Sequence, residues 1–424
     1  MKKKIIIKNV KIIDPNSSFN GQSKDILINN GMIEKIANKV QDDSATVIQH
    51  KGLHICPGLF DMNVDFGEPG YEYKETLLSG CNAAQHGGFT GIGLIPNCSP
   101  ARDNNSAIEF CINKTEGHLV DVFPMGAVTQ GRKGEELAEM YDMKKSGAIA
   151  FYDGKYPIHN TGVLSRALLY SKNFNGLILS FPYDNSISPN GQVNEGIEST
   201  KLGMEGMPSL SEEIQISRDL YLAAYNDAKI HFSSISCRSS VPMIMEAKAN
   251  ELQVSAGVPI HNLILTDKDT EDFDSNYKVI PPLRTKEDHE ALIEGLKGGV
   301  IDVITSDHTP QDPESKVVEF GNAAFGVIGT QTAFPLAVTH LSKQIGLEGI
   351  VTKMSINPRT ILQLEVPIID KGFEANLTLF NPSEKWTFTK ENNQSISENS
   401  PFFDIELNCK MIGAINGKKV FMNE

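Results

Sequence analysis

Acidic and amide side chains alternate along the segment GLFDMNVDFGEPG, which spans residues 58–70. Alternate residues of an extended strand point the same way, so Asp61, Asn63 and Asp65 share one face. Such oxygen donors suit Mg²⁺, Mn²⁺ or Ca²⁺, whereas zinc prefers imidazole nitrogen and thiolate sulfur. Another carboxylate, Asp307, follows the apolar run of DVITSDHTP. These groups can act together only if the fold brings the ends of their strands together.

The middle of the chain alternates short apolar runs with helical stretches. The candidate strands are GIGLIP, DVFPMG, GAIAFY, GLILSFP, AKIHFSSIS, QVSAGVP and DVITSD, and the candidate helices are LSEEIQISRDLYLAAYND and SVPMIMEAKAN. Strands that alternate with helices indicate a parallel sheet. About eight such units over about 300 residues favour a closed (β/α)8 barrel of the TIM type, whose functional groups lie at the carboxyl ends of its strands.

Both ends of the chain are rich in strand signals. KIIIKNVKII is β-branched, Asn30-Gly31 and Asn416-Gly417 are hairpin turn pairs, and ANLTLFNP and KWTFTK are short strands. We therefore predict an α/β protein in which residues 1–57 and 366–424 form a composite β-sandwich domain and residues 58–365 form the barrel. The polar segment 390–400 is predicted to be a surface loop.

Composition and charge disfavour several kinds of partner and site. The formal net charge of −14 disfavours nucleic acid as a partner. No apolar stretch approaches 18 residues, so no membrane span is expected. The six cysteines have no CxxC spacing, which argues against a thiolate zinc site and a disulfide framework. The basic N-terminus reads as a strand and not as a signal peptide, and we expect a cytoplasmic protein.

Longer motifs resemble a known family across nearly the whole chain. KETLLSGCNAAQHGGFTGIGLIPN, VNEGIESTKLGMEGMPSLSEE, YKVIPPLRTKEDHEALIEGLKGGVIDVITSDHTP and FGVIGTQTAFPLAVTHL match the pattern of dihydroorotase in order. This is the amidohydrolase-superfamily type that is related to hydantoinases and allantoinases. The resemblance implies a zinc-dependent hydrolase of cyclic amides in pyrimidine biosynthesis. It assigns Asp307 as metal ligand and catalytic base, and Asn97, Phe325 and Gly326 as substrate contacts.

The resemblance fails at the metal ligands. Four positions that carry zinc-binding histidines in the family carry other side chains here, namely Asn63, Asp65, Phe181 and Ser234. The bridging aspartate corresponds to Asp153. The positions of three substrate-contacting residues, an arginine, an asparagine and a histidine, are occupied here by Gly67, Ile280 and Gln311.

Histidines elsewhere do not restore the ligand set. His231 matches a family histidine that the resemblance does not make a ligand. His261 and His308 fall near the predicted mouth, where we interpret both as hydrogen-bonded structural histidines and keep a ligand role as the alternative.

Three functions remain open. The first is a non-catalytic binding or scaffold protein without a cofactor, which by resemblance could associate with aspartate carbamoyltransferase. The second is a working dihydroorotate hydrolase that binds Mg²⁺ or Mn²⁺ weakly through Asn63, Asp65, Asp153 and Asp307. The third is a structural protein without a ligand. We also expect a homodimer, because barrels of this family commonly pair.

Overall fold

The computed structural model describes residues 4–423. The strands are, in chain order, β1 (Lys4–Ile12), β2 (Ser23–Asn29), β3 (Met32–Ala37), β4 (Thr46–Ile48), β5 (His54–Pro57), β6 (Leu59–Val64), β7 (Phe89–Leu94), β8 (Asp121–Pro124), β9 (Ile178–Ser180), β10 (Val193–Asn194), β11 (Gly206–Met207), β12 (Ile230–Phe232), β13 (Val254–Pro259), β14 (Val303–Thr305), β15 (Asn376–Thr387), β16 (Glu406–Asn416) and β17 (Lys419–Met422).

The strands of the two termini share one sheet. Its order is β17-β16-β15-β5-β1-β2-β3, and β4 pairs with β1. The antiparallel pairing of β15 with β5 joins the C-terminal half of the sheet to the N-terminal half. Ile7, Ile26 and Leu377 belong to a hydrophobic cluster of this sheet. Pairing of both termini is what the sequence predicted, and the domain boundaries at residues 57 and 366 stay predictions.

The middle of the chain forms the predicted barrel. β6, β7 and β8 form one parallel sheet, and β9, β12, β13 and β14 form a second. Phe151 connects the two sheets, because it bridges to Gly126 after β8 and to Ile178 in β9. GAIAFY is thus the fourth barrel strand, reduced to a short extended segment that pairs on both sides.

The first and eighth barrel strands lie side by side. The backbone N–H of Asp65, after β6, donates to the carbonyl of His308, after β14, over 2.9 Å. The buried carboxylate of Asp61 accepts from the backbone N–H of Ser306 over 3.0 Å. These bonds place Asp65 and Asp307 at the same end of the barrel.

Helices cover the outside of the barrel. Within residues 4–423 they are α1 (Leu77–His86), α2 (Asn105–Thr115), α3 (Met140–Lys145), α4 (Thr161–Lys172), α5 (Ile197–Leu202), α6 (Ser209–Asn226), α7 (Ser240–Ala249), α8 (Lys286–Lys297), α9 (Pro313–Lys316), α10 (Ala333–Val351) and α11 (Asn357–Ile361). The two helices predicted from sequence are α6 and α7. Among the described residues, no helix has the length and apolar character that a membrane crossing requires.

The polar segment 390–400 is a loop, as predicted, with Glu391, Ile396 and Glu398 exposed, but part of it is buried. Ser397, Asn399 and Ser400 are buried. Asn399 donates to the carbonyl of Thr309 over 3.0 Å and accepts from the backbone N–H of Gln311. The loop therefore packs against the segment that follows the eighth barrel strand.

Candidate active site

The carboxyl ends of four barrel strands deliver the candidate residues to one region. Asn63 lies in β6 and Asp65 follows it, Asn97 follows β7, Asp153 follows the Phe151 bridge, and Asp307 follows β14. All but Asn97, which is half-buried, are almost completely buried. Their hydrogen-bond partners decide what each side chain can do.

Asp307 is held by two donors. Its Oδ1 accepts from the amide Nδ2 of Asn63 over 2.8 Å. Its Oδ2 accepts from the ammonium of Lys155 over 2.7 Å. Burial raises the pKa of Asp307 above its usual range, and the neighbouring Lys155 opposes that shift. Asp307 thus forms an ion pair with Lys155 and also accepts a hydrogen bond from the Asn63 amide.

Asp65 belongs to a second network. It accepts from the Asn97 amide and from the backbone N–H of Gly67. The Oδ1 of Asn97 accepts from the Arg132 guanidinium over 2.6 Å. Burial raises the pKa of the Asp65 carboxyl, and the Asn97 hydrogen bond and the Arg132 charge oppose that effect. Asn97 therefore connects a buried carboxylate to an arginine.

Asp153 is engaged by its own surroundings. Its two oxygens accept from the backbone N–H groups of Val128 and Thr129, over 2.7 and 3.1 Å, and from the Thr129 hydroxyl, over 2.5 Å. Burial raises its pKa to about 6, against the effect of these hydrogen bonds. Asp153 is thus held by donors of the segment that follows the third barrel strand.

The substituted histidine positions line a packed interior. Phe181 is buried against Tyr183, with ring centroids 6.1 Å apart. The Ser234 hydroxyl is buried and accepts a 3.4 Å hydrogen bond from the Asn63 amide. An aromatic ring coordinates no metal and a hydroxyl is a poor zinc ligand, so neither side chain replaces the imidazole that the family resemblance expects.

Three histidines, His231, His261 and His308, differ in their surroundings. His308 accepts through Nδ1 from the Gly329 backbone N–H over 3.0 Å, as predicted for a structural histidine. His231 is buried and contacts the Ser255 hydroxyl. His261 contradicts its prediction, because neither ring nitrogen has a hydrogen-bond partner among the described residues. Its Nε2 lies 3.9 Å from Asp307 Oδ2, and burial lowers its pKa to about 3, so it is a neutral and weakly basic ring.

The predicted substrate positions have contacts within the protein, and their role toward a substrate stays a prediction. Phe325 packs over the ammonium of the buried Lys278, with 4.8 Å from the nitrogen to the ring centroid. Gly326 has φ +144°, and a Cβ atom there would lie 2.5 Å from the Thr309 carbonyl oxygen, so only glycine fits. Gln311 accepts from Lys74 and donates to the Phe325 carbonyl, each over 2.8 Å.

Comparison with known proteins identifies the family. A sequence profile described as dihydro-orotase-like matches residues 52–240. The dihydroorotase of Ruminiclostridium cellulolyticum is 40% identical over 403 residues, which cover 94% of this chain and 94% of that protein. The chain belongs to the dihydroorotase family. The dihydroorotase of Elusimicrobium minutum is 41% identical over 404 residues, with coverage of 94% and 93%.

Solved structures share the fold of this dihydroorotase-family chain. The L-hydantoinase (dihydropyrimidinase) of Arthrobacter aurescens superposes with a TM-score of 0.85 at 21% identity, covering 100% of this chain and 96% of that chain. A dihydropyrimidinase from Brevibacillus agri gives 0.82 at 20% identity, covering 100% and 95%. The predicted amidohydrolase-type barrel is thereby confirmed.

The residues at this dihydroorotase-family site do not fit zinc. Asn63 directs its amide N–H at Asp307, and its remaining acceptor is an amide oxygen in place of the imidazole nitrogen that zinc prefers. The second oxygen of Asp307 faces the Lys155 cation, which repels a metal ion. Across residues 4–423, no group of three or more histidine, cysteine, aspartate and glutamate side chains is arranged to hold a metal ion. The weaker oxygen-rich alternative meets the same Lys155 cation.

Two residues of the site were missing from the sequence prediction. Lys155 and Arg132 supply the positive charges that face Asp307 and, through Asn97, Asp65. Lys155 follows Asp153-Gly154 directly after the fourth barrel strand, and strand ends are where barrel functional groups lie. Its position at a strand end could therefore have identified Lys155 as a candidate site residue. Arg132 lies in a 3-10 turn, and its spacing from Asn97 carried no signal.

Proposed function

We propose that this member of the dihydroorotase family does not hydrolyse dihydroorotate and acts as a non-catalytic binding protein. The observation that carries the proposal is the engagement of Asp307 by Lys155 and Asn63. By family resemblance this carboxylate is the catalytic base. Here it can accept a proton from water only after it leaves two donors, one of them a cation 2.7 Å away.

The other groups at the mouth do not replace that base. Hydrolysis of a cyclic amide near neutral pH needs an activated water, which metal-dependent hydrolases obtain when the cation lowers the pKa of bound water. His261 has a pKa of about 3 and is a weak base at neutral pH. Asp65 already accepts a hydrogen bond from the Gly67 backbone N–H, and Asp153 accepts one from the Val128 backbone N–H. The replacement of three family residues at positions 67, 280 and 311 further supports the proposal. By resemblance, the replaced side chains would orient the substrate.

The alternative is an active dihydroorotase that uses oxygen ligands, and the names of the relatives favour it. Turnover separates the two. We expect the purified protein, supplied in turn with Zn²⁺, Mn²⁺ and Mg²⁺, to convert dihydroorotate to N-carbamoyl-aspartate no faster than buffer does. The R. cellulolyticum dihydroorotase, assayed in parallel, is the positive control. Turnover within the ordinary enzyme range of about 1–10³ per second would overturn the proposal.

A binding function does not require catalytic activity, and it requires a surface that contacts a partner. On the basis of the family resemblance, we propose that the protein forms a homodimer and that it associates with aspartate carbamoyltransferase. The outer face of α6 supports a contact surface, because Leu210, Ile214, Tyr221 and Tyr225 are exposed at helical spacing. Light scattering should give about twice the 46.5 kDa chain mass, and a strict monomer would argue against the dimer.

A further inference from the structure

The Lys155 ammonium lies in a cradle of oxygen atoms at the mouth of the barrel. Its Nζ is 2.7 Å from Asp307 Oδ2, 2.9 Å from the Ile280 carbonyl and 3.5 Å from the Thr309 hydroxyl. These oxygens belong to two segments far from Lys155 in sequence, the loop before Pro281 and the end of the eighth barrel strand. One cation thus connects three parts of the mouth.

The cradle needs a positive charge. Asp307 has only 3% of its side chain exposed, and the Lys155 side chain has 15%. A buried carboxylate without a partner is costly, since it loses its hydration. The nearby Asp65 adds like-charge repulsion to Asp307. Among the described residues that hydrogen-bond to Asp307, Lys155 is the one cation.

We propose that the Lys155 ammonium is the resident cation of this site, which balances Asp307 and holds the mouth loops together in place of a metal ion. The inference rests on the proposed absence of metal chemistry. Its readout is thermal stability, however, whereas the proposed function is read by turnover. Lys155 is a positioning residue here and not a catalytic one.

Within the described part of the chain, three buried polar atoms near the pair have no hydrogen-bond partner of their own. The Asn63 Oδ1 and both ring nitrogens of His261 are buried without hydrogen-bond partners among the described residues. His261 Nε2 lies only 3.9 Å from Asp307 Oδ2. A neutral group in place of the Lys155 ammonium would leave Asp307 without its charge partner.

The experiment removes the cation and returns it from solution. Lys155→Ala deletes Cγ to Nζ, and these atoms correspond to n-propylammonium. We expect Lys155→Ala to melt about 5 °C or more below the wild type. n-Propylammonium chloride should then raise its melting temperature more than an equal concentration of NaCl or n-propanol does. The matched control is Lys172→Ala, which breaks an exposed pair with Asp227 and should show no selective rescue.

A comparison of two further variants tests the proposal even if Lys155→Ala does not fold. Lys155→Met keeps most of the side-chain volume but leaves Asp307 unpaired, whereas Lys155→Met with Asp307→Asn removes both charges. We expect the double variant to be more stable than Lys155→Met alone. Equal rescue of all proteins by propylammonium would overturn the proposal if Lys155→Ala folds. A double variant no more stable than Lys155→Met would overturn it in either case.

Discussion

No single restored histidine is expected to give this protein dihydroorotate hydrolysis. The four substitutions are Asn63→His, Asp65→His, Phe181→His and Ser234→His, each made alone. One imidazole does not complete a zinc shell, which takes several nitrogen, sulfur or oxygen ligands in tetrahedral order. Turnover should stay below about 1 per second, the lower end of the usual enzyme range. Groups that act as a unit give strongly non-additive losses, so early repairs return almost nothing.

The combined variants test the role of Lys155 in that failure. A protein with all four histidines still carries an ammonium 2.7 Å from Asp307 Oδ2. Because like charges repel strongly at such distances in a buried site, we expect this quadruple variant to bind zinc poorly. Adding Lys155→Ala should raise zinc uptake, measured by elemental analysis after dialysis. If a single variant shows ordinary enzyme turnover, or if the quadruple variant already holds zinc stoichiometrically, this interpretation fails.

The second large effect is a loss of stability in Asp307→Ala. The substitution leaves the Lys155 ammonium with the Ile280 carbonyl and the Thr309 hydroxyl but without its counter-charge. It also removes the acceptor of the Asn63 amide. Breaking one side of a buried pair typically costs about 3–5 kcal/mol. We expect the free energy of unfolding to fall by about that amount, as measured by urea denaturation followed by circular dichroism.

An exposed carboxylate provides the control for this prediction. Glu294→Ala removes an acid whose side chain is 70% exposed and pairs with Lys297 one helical turn away. Such surface pairs contribute about 0–1 kcal/mol. An Asp307→Ala protein that is as stable as Glu294→Ala would show that Asp307 does not support the fold. If the wild type then also hydrolysed dihydroorotate, a catalytic assignment of Asp307 would return.

The barrel and the terminal sheet were predictable because both have local signals. Runs such as QVSAGVP and DVITSD are apolar and β-branched, and strands buried on both faces have that composition. The Asn30-Gly31 pair sits at the turn between β2 and β3. The burial of Ser397, Asn399 and Ser400 in the loop 390–400 was not predicted, because it depends on hydrogen bonds to distant segments, such as that from Asn399 to the Thr309 carbonyl. The composition of this segment is that of a solvated loop.

The site was only half predictable. Once the family resemblance gives the ligand positions, the sequence shows that histidines are missing at positions 63, 65, 181 and 234. Which cation faces Asp307 instead of a metal ion depends on contacts between distant segments. Lys155 and Asp307 lie 152 positions apart in sequence, and barrel closure brings them together. The resemblance named Asn97 as a substrate contact, which stays a prediction. The hydrogen bond from Arg132 to its amide oxygen was not predictable, because no local pattern reveals the position of Arg132.

The most direct test is the zinc content of the wild-type protein after dialysis against excess Zn²⁺ and removal of the free metal. The ligand positions hold an amide, a carboxylate, a phenyl ring and a hydroxyl, and Lys155 already neutralises Asp307. We predict less than about 0.1 zinc ion per chain, with no change in melting temperature on adding a chelator. About one or two tightly held zinc ions per chain, lost together with stability on chelation and bound at Asp65 and Asp307, would contradict this account.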